Sequence, residues 1–314
     1  MMNLLVTNKN ALLFTSNNSF ILNLSFMGLP ELRTRFHQEL SGKYPGGETD
    51  AIFFLLLAHY TGVNRTAFFS SNGRRLSEDE SANMNSALHR LLKHEPVQYI
   101  TGETEFCGLK IKVNPSVLIP RPETEEMVEL IKSQMTNSKS QILDICSGSG
   151  CIAIALKKYF SQCLVYAFEL SPEATATARE NALLNNADIH FIEGDVFNPA
   201  DKLAKHSFDF IVSNPPYVLP SEKDSMGLNV YDHEPHAAVF VPENNPLVFY
   251  DAITNMAATH LKAGGKLWFE SDEDRAEEVG TLLQNKGLSE VKVHTDLSGK
   301  KRFISGQKME NHLS

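Results

Sequence analysis

The sequence predicts an α/β protein in which a small helical region precedes a mostly parallel sheet. From about residue 140, short apolar runs alternate with glycine-containing loops and helix-length segments, an order typical of parallel α/β domains. Between residues 30 and 96 the apolar residues recur at helical spacing instead, and residues 97–119 change to an alternating pattern. These changes divide the chain into a helical region, a connector and a sheet.

Composition limits the classes of protein to which the chain can belong. Its 314 residues, 42% of them hydrophobic and 21% charged, suit a two-domain globular protein. A formal net charge of −9 disfavours a dedicated nucleic-acid binder. The four cysteines show no metal-type or disulfide pattern, and the longest apolar run, residues 51–58, is too short to cross a bilayer. We therefore expect a cytoplasmic protein without a metal site or membrane contact.

The N-terminal part of the chain predicts several short helices. Leu29, Leu32 and Phe36 share one helical face. Asp50 is predicted to cap a second helix, and Ser77, followed by three acids, a third. Four segments follow from these patterns: a loose extension over 1–26, a helical domain over 27–96, a β-hairpin linker over 97–119 and an α/β domain over 120–308.

The α/β domain is predicted element by element from its apolar runs. The expected strands are 141–145, 166–170, 189–192, 208–212 and 265–270, and the expected helices are 151–160, 172–185 and 246–261. Two closing strands, 289–294 and 301–305, are expected to pair antiparallel. Ligands of such sheets bind in the crevice at the carboxyl ends of the strands, so the residues that follow each strand are the candidate site.

A loop with two glycines follows the first predicted strand. The cofactor-binding residues expected here are Asp144, Cys146, Ser147, Gly148, Ser149 and Gly150. Glycines let the backbone approach a ligand closely, and the helix that follows presents free N–H groups. The loop lacks the G-x-G-x-x-G spacing of pyrophosphate binding, while the acid that precedes it suits a cationic group such as an α-amino group.

Acidic side chains also follow the next two strands. Glu169 ends the second strand, where a carboxylate can accept hydrogen bonds from both ribose hydroxyls. Gly194-Asp195-Val196-Phe197 ends the third strand, where an acid and apolar side chains could hold an adenine ring. Together with the glycine loop, these residues favour S-adenosylmethionine over NAD as the cofactor, with S-adenosylhomocysteine as the product.

The fourth strand is followed by a rigid socket, Asn214-Pro215-Pro216-Tyr217. The prolines fix the backbone and carry no N–H, so the segment offers mainly acceptors. The Asn214 side chain adds another acceptor, which could also face the cofactor, and Tyr217 adds a flat aromatic face. Such a socket suits a planar group with two N–H donors, which can be a carboxamide or the amino group of a base. An ordinary proline-rich turn is the simpler alternative.

These motifs resemble the HemK/PrmC family, the peptide-chain release factor glutamine methyltransferases. The motifs that carry the resemblance are Pro120-Arg121-Pro122-Glu123-Thr124-Glu125, Asp144 to Gly150, Glu169-Leu170-Ser171-Pro172 and Asn214-Pro215-Pro216-Tyr217, within a similarity that extends from about Pro30 to Phe303. The resemblance implies a Rossmann-like class I methyltransferase sheet. It also implies transfer of a methyl group to the side-chain amide of the glutamine in a Gly-Gly-Gln motif, with residues 146–150, Glu169 and Val196 around the cofactor and residues 214–217 around the substrate glutamine.

Three departures from the family pattern stand out. Cys146 and Ser147 replace a common Gly-Thr pair, Glu169 replaces the commoner Asp, and residues 271–273 replace a glycine-containing stretch. A longer acid can still reach a ribose. A cysteine at position 146 keeps the backbone contacts of the loop only if its φ is negative.

The expected mechanism is catalysis by positioning, with Asn214, Pro215 and Tyr217 as the catalytic residues. Asn214 and the Pro215 carbonyl would accept both N–H groups of the substrate amide, and Tyr217 would pack on its plane. The expected partner is a release factor acting as protein substrate of a monomeric enzyme, without a stable nucleic-acid partner. Two alternatives remain: an amino-methyltransferase acting on adenine in DNA or RNA, and a binding module that keeps the fold without turnover.

Overall fold

The computed structural model describes residues 27–70, 73–135 and 139–309, so the predicted extension over 1–26 lies outside the described residues. The chain divides between Ser86 and Ala87 into two compact units. The domain boundaries predicted at residues 96 and 119 stay predictions.

The first unit is helical. Its helices are α1 (Leu29–Glu39), α2 (Gly46–Thr61), α3 (Arg65–Ser70) and α4 (Glu78–Leu91), of which α4 continues past the unit boundary. The predicted apolar face of α1 is buried, and Phe36 meets Phe53 of α2 edge to face at 5.3 Å between ring centroids. Ser77 caps α4 as predicted: its Oγ accepts from the Glu80 N–H, and the Glu80 carboxylate accepts from the Ser77 N–H.

The predicted capping role of Asp50 is wrong. Helix α2 begins at Gly46, one turn earlier, with Pro45 at its N-cap. Asp50 lies inside the helix and accepts hydrogen bonds from Arg33 Nε and Nη2 of α1 at 2.8 and 2.7 Å, beside His37. These bonds, with Arg33 first among them, lower the pKa of Asp50 to about 2. The acid therefore joins two helices instead of starting one.

The second unit begins with a short helix and a hairpin. Val97–Thr101 forms helix α5, so this part of the predicted hairpin linker is not extended. Pro96 precedes the helix and Gly102, at φ +74°, ends it. The expected hairpin follows as β1 (Glu103–Phe106) and β2 (Leu109–Lys112), paired antiparallel around a two-residue turn in which both residues have positive φ.

A seven-stranded sheet forms the centre of the second unit. Its strands are β3 (Gln141–Ile145), β4 (Leu164–Glu169), β5 (Ile189–Glu193), β6 (Phe208–Ser213), β7 (Leu261–Glu270), β8 (Leu288–Thr295) and β9 (Lys301–Lys308). They lie in the order β5-β4-β3-β6-β7-β9-β8. The first five are parallel, and β9 pairs antiparallel with both β7 and β8, as the sequence predicted for the last two strands. This confirms the predicted α/β class.

Helices cover both faces of the sheet. They are α6 (Pro122–Gln134), α7 (Cys151–Tyr159), α8 (Pro172–Leu184), α9 (Leu228–His233), α10 (His236–Val239), α11 (Val248–His260) and α12 (Ala276–Asn285). Helices α6, α7 and α8 share one apolar cluster with Ile142 of β3, whereas α11 and α12 share the other with Leu143 and Ile145. Successive residues of one strand thus enter opposite cores, which is why the parallel strands are apolar runs without alternation.

Several predicted bounds differ from the structure. Helix α11 begins at Val248, two residues after the predicted start, and ends at His260. Strand β7 already begins at Leu261, four residues before its predicted start, and runs through Gly264 and Gly265. Helices α9, α10 and α12 were not predicted. In the described ranges 27–70, 73–135 and 139–309, no helix is long and apolar enough to cross a bilayer.

Candidate active site

The register of the parallel strands aligns their carboxyl ends. Ile145 lies opposite Phe168 of β4 on one side and Ser213 of β6 on the other, and Ser213 lies opposite Phe269 of β7. The next residues along these strands are Glu169, Cys146, Asn214 and Glu270. A cavity of about 500 Å³ opens at this edge, between β4 and β6, where the strand order reverses.

The glycine loop forms part of the cavity wall. Residues 146–149 line it, and the loop is closed by a hydrogen bond from the Gly150 N–H to the Ser147 carbonyl at 2.8 Å. Gly150 itself lies beneath the loop at φ +77°, where a Cβ would come within 3.1 Å of the Ala178 Cβ. Both the backbone conformation and the packing of α8 thus favour glycine at position 150.

Cys146 adopts the left-handed conformation, with φ +59°. The condition of negative φ predicted for a non-glycine residue here is wrong. The Cys146 N–H still donates to the Phe168 carbonyl at 2.9 Å. The backbone of the loop therefore keeps this hydrogen bond despite the unfavourable φ of Cys146. Burial, with the Glu169 and Asp144 carboxylates next in effect, raises the pKa of the Cys146 thiol. The thiol is therefore protonated at neutral pH.

Asp144 is fully buried and is not among the residues that line the cavity. Its Oδ2 accepts from the Ala153 N–H in the first turn of α7 at 3.0 Å, whereas Oδ1 has no hydrogen-bond partner among the described residues. Burial raises its pKa to about 8, and the Ala153 N–H opposes that rise. Any contact with an α-amino group therefore stays a prediction.

Glu169 lines the cavity and organises the loops around it. Its Oε2 accepts from the Gly148 N–H at 2.9 Å, and its Oε1 accepts from the N–H groups of Leu170 and Ser171 at 2.9 and 3.0 Å. Two carboxylate oxygens offer about four lone-pair sites, so a hydroxyl can still be accepted. One side chain thus fixes the glycine loop and remains available to a ligand.

The loop after β5 brings Asp195 and Val196 to the same cavity. Asp195 Oδ1 accepts from the Phe197 N–H at 2.9 Å, which stabilises a tight turn. The ring centroid of the exposed Phe197 lies 4.9 Å from that of Phe249. Gly194 precedes them because a Cβ there would meet the Phe168 ring at 2.4 Å. The apolar side chains predicted after the third strand, Val196 and Phe197, line the cavity together with Phe249, which the sequence analysis did not assign.

The socket residues divide between the cavity and the core. Asn214 and Pro216 line the cavity, whereas Pro215 and Tyr217 do not. Asn214 Nδ2 donates to Thr124 Oγ1 at 3.2 Å. Tyr217 packs against the core cluster of α11 and α12, and burial raises its pKa, with the charge of Glu270 next in effect. The predicted stacking of Tyr217 on a substrate amide stays a prediction.

An ion pair that the sequence analysis did not predict closes the opposite side of the cavity. Glu234, buried, accepts from Arg121 Nη2 at 2.6 Å and from the Ile119 N–H at 3.3 Å. It ties the segment after β6 to the Pro-Arg-Pro motif, and Pro235 and Ala238 then line the cavity. A charge 113 positions from its partner carries no local sequence signal, although the sequence analysis identified the motif that includes Arg121.

The remaining chemistry is that of carboxylates, amides and backbone groups. The part of the chain that the structure describes contains no group of three or more His, Cys, Asp or Glu side chains suited to a metal ion. Ser147 lines the cavity, and its buried hydroxyl has no hydrogen-bond partner among the described residues. The site thus offers polar atoms to a ligand around an otherwise apolar cavity.

At most positions an alanine variant is more stable than a glycine variant, and we expect the opposite order of stability at Cys146. At φ +59°, Cys146→Gly should give a free energy of unfolding roughly 1 kcal/mol higher than Cys146→Ala, because alanine resists the left-handed region. Chemical denaturation measures both. At buried Cys163, which is not among the described residues with positive φ, the alanine variant should be the more stable. A more stable alanine variant at position 146 would contradict the assignment of strain.

Comparison with known proteins agrees with this geometry. Residues 31–102 match the family profile described as PrmC N-terminal domain, and residues 123–230 match Methyltransferase small domain. The release factor glutamine methyltransferase of Flavobacterium psychrophilum is 39% identical over 88% of this chain and 98% of its own length. Those of Bacteroides thetaiotaomicron and Lactococcus lactis are also 39% identical, over 86% and 77% of this chain and 97% and 88% of their own lengths. The chain therefore belongs to the family of release factor glutamine methyltransferases.

Proposed function

We propose that this protein transfers a methyl group from S-adenosylmethionine to the side-chain amide of the glutamine in the Gly-Gly-Gln loop of a peptide-chain release factor. The observation that carries the proposal is the orientation of Asn214. Its nitrogen is engaged by Thr124 while the residue lines the cavity, so its oxygen is left to accept an N–H from a ligand. Family membership supplies the identity of that ligand.

The residues present fit S-adenosylmethionine. The cavity of about 500 Å³ combines an apolar rim at Val196, the Glu169 carboxylate and the unpartnered Ser147 hydroxyl. Glu169 would hold the ribose, Val196 and Asp195 the adenine, and the glycine loop the remainder. When bound, the cofactor supplies an electrophilic methyl group. The carboxylates of Glu169 and Asp195, which both line the cavity, suit the positive charge of the cofactor.

The reaction requires positioning because an amide nitrogen is a poor nucleophile. Its lone pair is delocalised into the carbonyl, the same resonance that gives the C–N bond a rotation barrier of roughly 18–20 kcal/mol. Asn214 Oδ1 and the Pro215 carbonyl would accept the two N–H groups of the substrate and stabilise positive charge that develops on its nitrogen. Alignment of this kind contributes up to about 7–11 kcal/mol. The proton leaves to water.

We propose that the first unit recognises the release factor outside its glutamine. Residues 27–96 are the predicted helical substrate-recognition domain. Phe69 of α3 is 65% exposed, beside Phe68 and Phe54, which offers an aromatic surface to a protein partner. We further propose that the protein works in the cytoplasm as a monomer. The net charge of −9 supports the absence of a stable nucleic-acid partner.

Asn214→Ala should lower kcat for release factor methylation roughly 10²- to 10³-fold, because the substrate amide loses an aligned acceptor. Mass spectrometry of the release factor after incubation with S-adenosylmethionine measures this. Asn255→Ala, which removes an amide of α11 that bonds Asp251, is the matched control. Normal turnover in Asn214→Ala would contradict the socket. Methylation of adenine in DNA or RNA by the wild type, with the glutamine left unmodified, would replace the proposed substrate.

Glu169→Ala should weaken S-adenosylmethionine binding roughly 10- to 100-fold, as measured by calorimetry, while kcat at saturating cofactor changes less. The contacts lie away from the transferred methyl group and are equal in the ground and transition states. Glu193, directly opposite Glu169 in the register of β5 but exposed and outside the cavity lining, provides the control Glu193→Ala. Unchanged cofactor affinity in Glu169→Ala would remove this residue from the site.

Phe69→Ser should raise KM for the release factor roughly 10-fold without changing cofactor affinity, because burial of an aromatic ring against a partner contributes about 1.5 kcal/mol or more. Leu183, 79% exposed on α8 of the second unit, gives the matched control Leu183→Ser. Steady-state kinetics with intact release factor measure both variants. An equal KM in the two variants would argue against recognition by the first unit.

A further inference from the structure

Three side chains form a hydrogen-bonded chain that starts at the cavity wall. Asn214 Nδ2 donates to Thr124 Oγ1 at 3.2 Å, and the Thr124 hydroxyl donates to Glu270 Oε2 at 2.7 Å. Asn214 and Thr124 line the cavity, whereas Glu270, at the end of β7, is 1% exposed and is not part of the lining. The function proposed above uses only Asn214.

The buried end sets the direction of this chain. An ionised carboxylate only accepts hydrogen bonds, so the Thr124 proton points to Glu270. The Thr124 oxygen then presents lone pairs to Asn214, so Asn214 must donate a hydrogen bond from its NH2 group. A carboxamide has nearly the same shape in both orientations, so without a fixed partner its oxygen and nitrogen can exchange places. Glu270 removes that freedom from Asn214.

The orientation of Asn214 matters because the substrate amide also carries an NH2 group. An acceptor opposite that group aligns it, whereas a second NH2 group would leave both donors unpaired in a buried site. Resting on the function proposed above, we propose that Thr124 and Glu270 are positioning residues, which hold the Asn214 side chain with its oxygen available to the substrate amide. They act through Asn214 and not on the methyl group.

The protonation state of Glu270 provides a readout of this role. Burial raises the pKa of Glu270 to about 7, although the Thr124 hydroxyl, the Arg302 cation of β9 and a direct hydrogen bond with the Asn214 side chain lower it. The other titratable groups that face it are Glu123 of α6, Tyr217 of the loop after β6 and Tyr250 of α11. A protonated Glu270 gains a donor, so Thr124 can accept from it and donate to the oxygen of a reversed Asn214. The productive orientation is present above this pKa and is lost as pH falls through it.

The test is the pH dependence of methylation by the full-length protein, with release factor and S-adenosylmethionine as substrates, between pH 5.5 and 9 (a range of about two units on each side of neutrality). Wild-type kcat should rise with pH through about 7. Glu270→Gln should lower kcat roughly 10- to 100-fold and remove that rise, with cofactor affinity by calorimetry unchanged. Thr124→Val should lower kcat to a similar extent, and Thr124→Ser, which restores the hydroxyl, should recover most of it.

A double variant separates positioning from stability. If both residues act through Asn214, Glu270→Gln combined with Thr124→Val should lose less activity than the product of the two single losses. Thr254→Val is the matched control, since it removes a buried hydroxyl that donates to the Tyr250 carbonyl instead of to the chain. It should keep the wild-type kcat and pH profile.

Three results would overturn the proposal: a wild-type pH profile in Glu270→Gln, losses that multiply in the double variant, or equal activity in Thr124→Val and Thr124→Ser. The last comparison decides the matter even if Glu270→Gln does not fold. Failure of the proposed function looks different, because the wild-type protein would then bind the cofactor and leave the release factor unmethylated at every pH.

Discussion

The pairing of β3 with β4 on one side and β6 on the other is the constraint on which the site depends. Ile145 lies opposite both Phe168 and Ser213, so the next residue of each strand lies in one row across the sheet edge. A shift of one residue in either pairing would turn Glu169 or Asn214 to the opposite face of the sheet. The apolar residues on both faces of these strands resist such a shift, because it would expose core side chains. Packing thus sets the geometry of the chemistry.

Two carboxylates belong to this row, Glu169 and Glu270, and their surroundings differ. Glu169 is stabilised by three backbone N–H groups of the loops that it organises. Glu270 receives one hydroxyl and the field of Arg302, and its pKa remains raised to about 7. The difference follows from location: the first acid lies beside two loops with free N–H groups, and the second lies in the core. Two carboxylates at equivalent strand ends thus lie in different surroundings.

Sequence patterns predicted the sheet well because each parallel strand is an apolar run that ends in a turn or glycine loop. They failed where local preference and tertiary contact disagree. Val97–Thr101, bounded by proline and glycine, contains β-branched residues but forms a helix, and Asp50 precedes an apolar run yet serves a contact with α1. The part of the candidate site that follows directly after the parallel strands could be predicted from the sequence. Thr124 and Glu270, 146 positions apart, meet only in the folded chain, although the strand-end rule that indicated Asn214 could have indicated Glu270.

The buried Glu234 holds a second wall of the cavity in place, away from the strand ends. The buried Glu234 binds Arg121 and the Ile119 N–H, which holds the segment after β6 against the Pro-Arg-Pro motif. The side chains of Pro235, Ala237 and Ala238 on this wall are small and apolar, so they cannot replace the hydrogen bonds that an N–H group loses on leaving water. The sheet edge offers such a group an acceptor at Asn214. Asn214, with its nitrogen already engaged, supplies one acceptor in a fixed direction, and this favours a planar N–H group that enters along that direction over one that can bind in several.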